Sequence, residues 1–349
     1  MKIVADANIL DIEPGFAEYG ELVLRPGREI RPADVRDADA LIVRSITRVD
    51  AALLAGSRVR FVATATSGTD HLDLPWLHHA GITVADAAGC NANAVAAYVM
   101  AALQELTVPG GGRAVVIGAG HVGSRVVHRL QRKGVHCRVV DPFVEQGGVS
   151  ASVRRAFDDR VPELCFSSLD EALADADIVS LHVPYTTQGP HPTRGLLNAE
   201  RLSRLRPGTV LINTARGEVL DEAALKQRLR SGGDLQAVLD VFHDEPEVDR
   251  ELIHLARIAT PHIAGYSRAA KLAGTARVLA AFRAHFHPEE PVSEAGDRGI
   301  ALRDETAPSP SALTTRFREA VDAVPADRSL AGAFDTLRRL RLEPDPSAV

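Results

Sequence analysis

Three polar residues in the second half of the chain have the types that oxidation of an alcohol requires. Arg216 stands in "LINTARGEVLD", Glu245 in "LDVFHDEPE" and His262 in "TPHIAGYS". Removing a hydroxyl proton near neutral pH needs a base whose proton affinity lies there, and an imidazole qualifies. A carboxylate beside that ring favours its charged form and selects one tautomer. A planar, permanently charged guanidinium matches a substrate carboxylate with two parallel donors. Each residue also has an ordinary reading. Arg216 could be a surface cation, Glu245 the start of a turn, and His262 a core or capping histidine. Their placement argues for the joint reading. Each follows an apolar run that reads as a strand, and open α/β sheets bind ligands beyond the carboxyl ends of their strands.

A second motif supplies what the hydride needs. In "VVIGAGHVGSRVVHRL", Gly118, Gly120 and Gly123 form G-x-G-x-x-G between a strand and a helix that Gly134 closes. The first glycine permits a tight turn, the second lets the backbone approach a pyrophosphate, and the third lets helix and strand pack closely. The helix N-terminus, with His121 and Val122 in its first turn, offers N–H groups to phosphates. Asp141 ends the next strand, where a carboxylate would accept the adenosine ribose hydroxyls and repel a 2′-phosphate. The reading is therefore NAD rather than NADP.

The elements that position these groups form two successive alternations. "KIVAD", "ELVLR", "ALIVRS", "RFVATAT" and "GITVAD" read as buried strands, with "AALLAGS" and "LPWLHHAG" as helices closed by Gly56 and Gly81. "NAVAAYVMAALQEL" is a long helical pattern that stops at "TVPGGG". The strands "RAVVIG", "HCRVVD", "DIVSLHV", "TVLINT" and "LQAVLDV" then recur with helices between them. The fold expected is α/β, with two doubly wound parallel sheets: a Rossmann NAD domain and a flavodoxin-like substrate domain. The substrate domain is expected to be discontinuous, residues 1–92 rejoined by 264–286, around an NAD domain of residues 93–263. In the helix after Tyr266, Ala269, Ala273, Ala276 and Ala280 suggest a face that packs closely. Residues 287–349 begin linker-like and recover two amphipathic patterns. Leu313, Phe317 and Val321 share one face, as do Phe334, Leu337 and Leu340, and this small tail is a candidate dimerisation segment.

Bulk properties exclude other classes. The chain has 349 residues, 45% hydrophobic and 25% charged, with a formal net charge of -6. That balance argues against a general affinity for nucleic acid or an anionic membrane. The three cysteines, Cys90, Cys137 and Cys165, are widely spaced and include no CxxC, which argues against a disulfide framework and a structural zinc site. No metal is expected. The N-terminus "MKIVADANIL" does not read as a signal peptide, and no window approaches the roughly 18 apolar residues of a membrane span. A cytoplasmic setting is the simplest.

"INTARGEVLD", "LDVFHDEPE" and "TPHIAGYS" together resemble the signature segments of the D-isomer-specific 2-hydroxyacid dehydrogenases, over residues 1 to about 285. The resemblance implies that Arg216 binds the substrate carboxylate and carbonyl while the Glu245–His262 pair handles the proton. It places Ala215, Asp240 and Gly265 along the cofactor, Asp240 on the nicotinamide carboxamide side. Val183, in "LHVPY", occupies a cofactor position where a hydroxyl residue is expected, so its backbone would have to serve. Finer segments, "LIVRSITRVD", "FVATATSGTDHLDL", "AAGCNANAVAAYV" and "HIAGYSRAAKLAGT", resemble members that oxidise 4-phospho-D-erythronate with NAD. By that resemblance Ser45, Thr66 and Tyr266 contact the substrate, a small phosphorylated hydroxy acid. Arg44, with Ser45 and Arg48, is available to its phosphate. The resemblance also implies a homodimer, although the tail is shorter than the dimerisation domain of those members. Two alternatives stay open: a dehydrogenase of another such acid, D-3-phosphoglycerate, and an NAD(H)-sensing co-repressor-like protein. No basic DNA-reading segment supports the latter. Asp141→Ala is expected to weaken NAD binding about tenfold, the scale of one lost hydrogen bond to a charged group, and to relax the preference over NADP. An unchanged ratio of the two dissociation constants would remove Asp141 from the ribose site.

Overall fold

The structure, a computed structural model, describes residues 1–108, 112–155, 157, 161–232, 234–289 and 309–342. The chain divides into two compact units, and the first unit is built from two separate stretches. Met1–Asn91 is completed by the Arg268–Phe286 helix, whereas Ala92–Ser267 is completed by the C-terminal helices Pro310–Asp322 and Ala331–Leu342.

In the first unit β1 (Lys2–Asp6), β2 (Glu21–Arg25), β3 (Ala40–Val43), β4 (Phe61–Thr64) and β5 (Thr83–Ala85) form one sheet in the order β2-β1-β3-β4-β5. Every pairing is parallel. The order is the flavodoxin-like one, which reverses between β1 and β3. β3 and β4 are buried along their whole lengths, because helices cover both faces of such a sheet. The Arg268–Phe286 helix packs on one of those faces. Phe282 meets Phe16, Tyr19 and Phe61 edge-on, with ring centroids 5.2, 5.4 and 5.8 Å apart. The small-residue face is not the one anticipated. Ala270, Ala273 and Gly274 are buried, Ala269 is exposed, and Ala276 and Ala280 are half-buried. Gly274 sets the contact, since a Cβ there would lie 2.7 Å from the Ala65 carbonyl oxygen.

The second unit holds β6 (Arg113–Ile117), β7 (His136–Val140), β8 (Cys165–Phe166), β9 (Ile178–Leu181), β10 (Val210–Asn213), β11 (Gln236–Leu239) and β12 (Ile258–Ala259). Their order is β12-β11-β10-β9-β6-β7-β8, all parallel. This is the Rossmann arrangement with one strand added beyond its sixth, and its switch point falls between β6 and β9. β8 escapes a sequence reading because its two residues carry no periodicity.

The C-terminal helices lie on this same unit. Phe317, Val321, Leu330, Phe334 and Leu337 join its hydrophobic core. The side chain of Leu340 lies outside the described residues. Polar ties reinforce the packing. Arg318 donates to the carbonyls of Ile253 and Ala256. Arg250 donates to those of Val324 and Pro325 in the turn between the helices. The N–H of Ala259, on edge strand β12, reaches the Thr314 hydroxyl at 3.1 Å. Among the described residues no helix is long and apolar enough to cross a membrane. Phe282→Ala is expected to cost about 3–5 kcal/mol, measured by urea denaturation, because it empties the centre of an aromatic cluster. A loss below about 1 kcal/mol would mean that this cluster does not hold the first unit together.

Candidate active site

The three candidate catalytic residues leave the carboxyl ends of β10, β11 and β12. The β10 exit is shaped by buried Asn213. Its amide donates to the Arg216 carbonyl at 2.9 Å, and its oxygen accepts the Ala215 N–H at 3.1 Å. Arg216 is half-buried, extended in backbone, and donates from Nη1 to the Ala215 carbonyl at 2.8 Å. Gly217 follows, and no other residue fits there. A Cβ would sit 2.1 Å from the backbone carbon of Phe242 and 2.4 Å from the amide nitrogen of His243. The Arg216 turn therefore lies directly against the backbone that leads to Glu245.

Glu245 and His262 meet. Nδ1 of His262 donates to Oε2 of Glu245 at 2.9 Å, and Oε1 accepts the N–H of Phe242 at 3.1 Å. With Nδ1 engaged, Nε2 is the nitrogen that can take a proton from a substrate. The imidazole is 42% exposed and the carboxylate 19%, so the pair is sheltered but reachable. His262 has φ 57°, a left-handed conformation unusual for a side-chain-bearing residue. Asp240 holds it there. The buried carboxylate accepts the N–H groups of Ile263 and Ala264 at 2.8 and 2.9 Å and the Thr260 hydroxyl at 2.6 Å, while its backbone carbonyl accepts the N–H of His262 at 2.7 Å. The Thr260 hydroxyl donates its hydrogen to Asp240, so Tyr98 must donate to Thr260, across 2.6 Å. The carboxylate expected to face nicotinamide thus turns inward as the anchor of the histidine loop. Sequence reading missed Tyr98 and Thr260, because a buried hydroxyl chain leaves no local pattern.

The electrostatics suit a proton-transfer pair. Burial alone would lower the proton affinity of His262. The charge and hydrogen bond of Glu245, with Asp240 behind, outweigh burial and the opposing Arg216, and its pKa lies above the usual 6.5. Burial would raise the Glu245 carboxyl, yet His262, the Phe242 N–H and Arg338 hold it below the usual range. Asp240 is pushed up to about 6 by burial, against the pull of His262 and its own donors.

The dinucleotide cradle is also formed within this unit. Gly118 has φ 92°, and a Cβ on it would lie 2.5 Å from the His182 carbonyl oxygen and 2.9 Å from a Val183 methyl. A Cβ on Gly123 would lie 1.7 Å from the Gly118 carbonyl oxygen. Gly120 differs, because nothing lies within 4 Å of where its Cβ would be. The protein itself does not require that glycine, and the open space beside the helix N-terminus fits a pyrophosphate. Asp141 accepts the Ala119 N–H of the loop at 2.8 Å and caps the next helix through the N–H groups of Phe143 and Val144. It therefore ties the end of β7 to the glycine turn. Val122 packs on the core, and His121 pairs with the Ser152 hydroxyl at 3.2 Å. Val183 likewise lies against the core, with its neighbour His182 pushed down to about 3 by burial and therefore neutral. Gly265 and Tyr266 continue the histidine loop, where the Tyr266 N–H closes a turn on the Ile263 carbonyl at 2.9 Å.

The remaining predicted residues belong to the first unit. Ser45 is exposed in the turn after β3. Thr66 shares a hydrogen bond with Thr64 at 2.7 Å, and Thr64 in turn meets Nε2 of His71 at 3.0 Å. Arg44 is turned onto the buried carboxylate of Asp6, with contacts of 2.7 and 3.3 Å that engage two of its five N–H donors. Arg48 lies against Asp50 at 2.8 Å.

These features define an NAD-dependent oxidoreductase of the 2-hydroxyacid type, and comparison with known proteins agrees. Residues 100–264 match the family described as "D-isomer specific 2-hydroxyacid dehydrogenase, NAD binding domain". The erythronate-4-phosphate dehydrogenase of Chromohalobacter salexigens is 47% identical over 82% of this chain and 73% of its own length. That of Pseudomonas aeruginosa is 42% identical over 97% of this chain and 91% of its own. The fold is that of the D-lactate dehydrogenase of Aquifex aeolicus, with a TM-score of 0.66 at 23% identity over 84% of this chain and 98% of that one. The chain belongs to the erythronate-4-phosphate dehydrogenases, within the D-isomer-specific 2-hydroxyacid dehydrogenase family. Gly217→Ala is expected to lower kcat/KM by at least about a hundredfold, since an ångström-scale shift of Arg216 has that cost. Activity within about threefold of the parent would show that the Arg216 turn tolerates displacement.

Proposed function

We propose that the protein oxidises the C2 hydroxyl of 4-phospho-D-erythronate to 2-oxo-3-hydroxy-4-phosphobutanoate, with NAD as the hydride acceptor. One observation carries the reading: Arg216, Glu245 and His262 gather at adjoining strand ends of the NAD-binding unit. The identity of 42–48% to enzymes named for this activity supports the choice of substrate.

NAD, when bound, supplies the nicotinamide carbon that receives the hydride. Gly118, Gly120, His121, Val122, Gly123, Asp141, Val183, Ala215 and Gly265 are the residues we assign to holding it. Asp240 acts on it indirectly, through the loop it anchors. Neutral His262 takes the hydroxyl proton on Nε2, and Glu245 stabilises the imidazolium that results. Arg216 holds the substrate carboxylate and polarises the oxygen as it becomes a carbonyl. Ser45, Thr66 and Tyr266 keep their proposed role as substrate contacts. Arg44 has less to offer a phosphate than the sequence suggested, because Asp6 already occupies it. The same reading carries a homodimer in the cytoplasm, and the three unpaired cysteines suit a reducing compartment.

The test is a comparison of kcat/KM for 4-phospho-D-erythronate and D-3-phosphoglycerate with NAD. Preference for the four-carbon acid is expected, faster turnover of the three-carbon acid overturns the substrate, and NAD binding without turnover of either overturns the reaction. His262→Ala is expected to lower kcat by about 10²–10⁴ while leaving NAD affinity within about twofold. Oxidation should rise with pH as His262 loses its proton, along a limb centred above 6.5.

A further inference from the structure

The C-terminal helix Ala331–Leu342 brings a cation to the proton-handling pair. Nη2 of Arg338 lies 3.7 Å from Oε2 of Glu245, the oxygen that receives His262. Nε of the same guanidinium donates to the carbonyl of Pro261, the residue before His262, at 3.3 Å. Its planar face lies over the Phe334 ring, 5.4 Å from the centroid. Phe334 is in turn buried in the core shared with Phe317, the two rings meeting edge-on at 5.3 Å. The head group is therefore set by packed aromatic side chains, and its side chain is 25% exposed. One guanidinium touches both halves of the pair: the carboxylate after β11 and the backbone of the loop after β12.

We propose that Arg338 is a positioning residue for the oxidation, clamping the His262 loop to Glu245 and offsetting the charge of that carboxylate. The proposal rests on the reading that Glu245 and His262 handle the proton. The charge around His262 explains what a counterweight does. Two carboxylates, Glu245 and Asp240, raise its proton affinity, and Arg216, from the β10 exit, lowers it. A base that holds its proton too tightly is in the wrong form for oxidation at neutral pH. Arg338 bears on Oε2 of Glu245 from the C-terminal helix, and so makes the pair less negative. The sequence could not show this. Arg338 lies 76 residues beyond His262, in a helix whose local signal is the apolar face of Phe334, Leu337 and Leu340.

The test measures kcat/KM for NAD-dependent oxidation of 4-phospho-D-erythronate across pH, in the full chain and in Arg338→Met, Arg338→Lys and Glu245→Gln. Removing the cation should move the His262 limb to higher pH by roughly 0.5 unit, the scale of one charge acting through a partly solvated gap. Activity at pH 7 should fall by about threefold, in kcat rather than KM. Lysine keeps the charge and should hold the limb near its parental position. Glu245→Gln should move the limb the other way, to lower pH. If Arg338→Met loses thermal stability, Arg338→Gln replaces it, because the amide can still donate to Pro261 without carrying charge. A limb that stays in place or moves down in the methionine or glutamine variant overturns the proposal, provided that Glu245→Gln moves it down. A limb indifferent to Glu245→Gln instead overturns the Glu245–His262 reading beneath it.

Discussion

The site depends on a buried carboxylate that holds a strained loop. His262 adopts a left-handed backbone, which costs a residue with a side chain about 1–2 kcal/mol. Asp240 offsets that cost by accepting the two N–H groups that follow His262, together with the Thr260 hydroxyl. A hydrogen bond to a charged acceptor contributes about 1.5–3 kcal/mol, so these outweigh the strain. From that left-handed turn Nδ1 of His262 reaches Oε2 of Glu245 at 2.9 Å.

The same carboxylate also acts at a distance. Asp240 and Glu245 both favour a proton on His262 and Arg216 opposes them, while Arg338 bears on the Glu245 carboxylate from the last helix. Burial is the largest single influence and lowers the proton affinity of His262, and Glu245 and Asp240 together outweigh it.

Close backbone approach sets the remaining geometry. Gly118, Gly123, Gly217 and Gly274 stand where any Cβ would collide with backbone atoms. Gly217 brings the β10 exit onto the β11 exit, and Gly274 seats the returning helix of the first unit on its sheet. Gly120 is the exception, since its neighbourhood is open. Within the G-x-G-x-x-G turn, packing requires Gly118 and Gly123, whereas the room at Gly120 suits a ligand beside the helix N-terminus.

The two parallel sheets, the glycine turn and the residues Arg216, Glu245 and His262 were all legible in the sequence, because each rests on a local pattern. Apolar runs of strand length, breaker residues and polar groups just past a strand end are properties of short windows. What those residues touch was not legible. The inward turn of Asp240, the Tyr98–Thr260 chain behind it, the engagement of Arg44 by Asp6 and the reach of Arg338 from the last helix all join positions far apart in the chain. The shift of the small-residue face from Ala269, Ala276 and Ala280 to Ala270 and Gly274 belongs with them, because helical periodicity leaves open which side a sheet will cover. Local patterning determined which chemical groups the chain brings to its strand ends. Only tertiary packing decided their partners, because hydrogen bonds and charges act through space between atoms whose separation along the chain carries no signal.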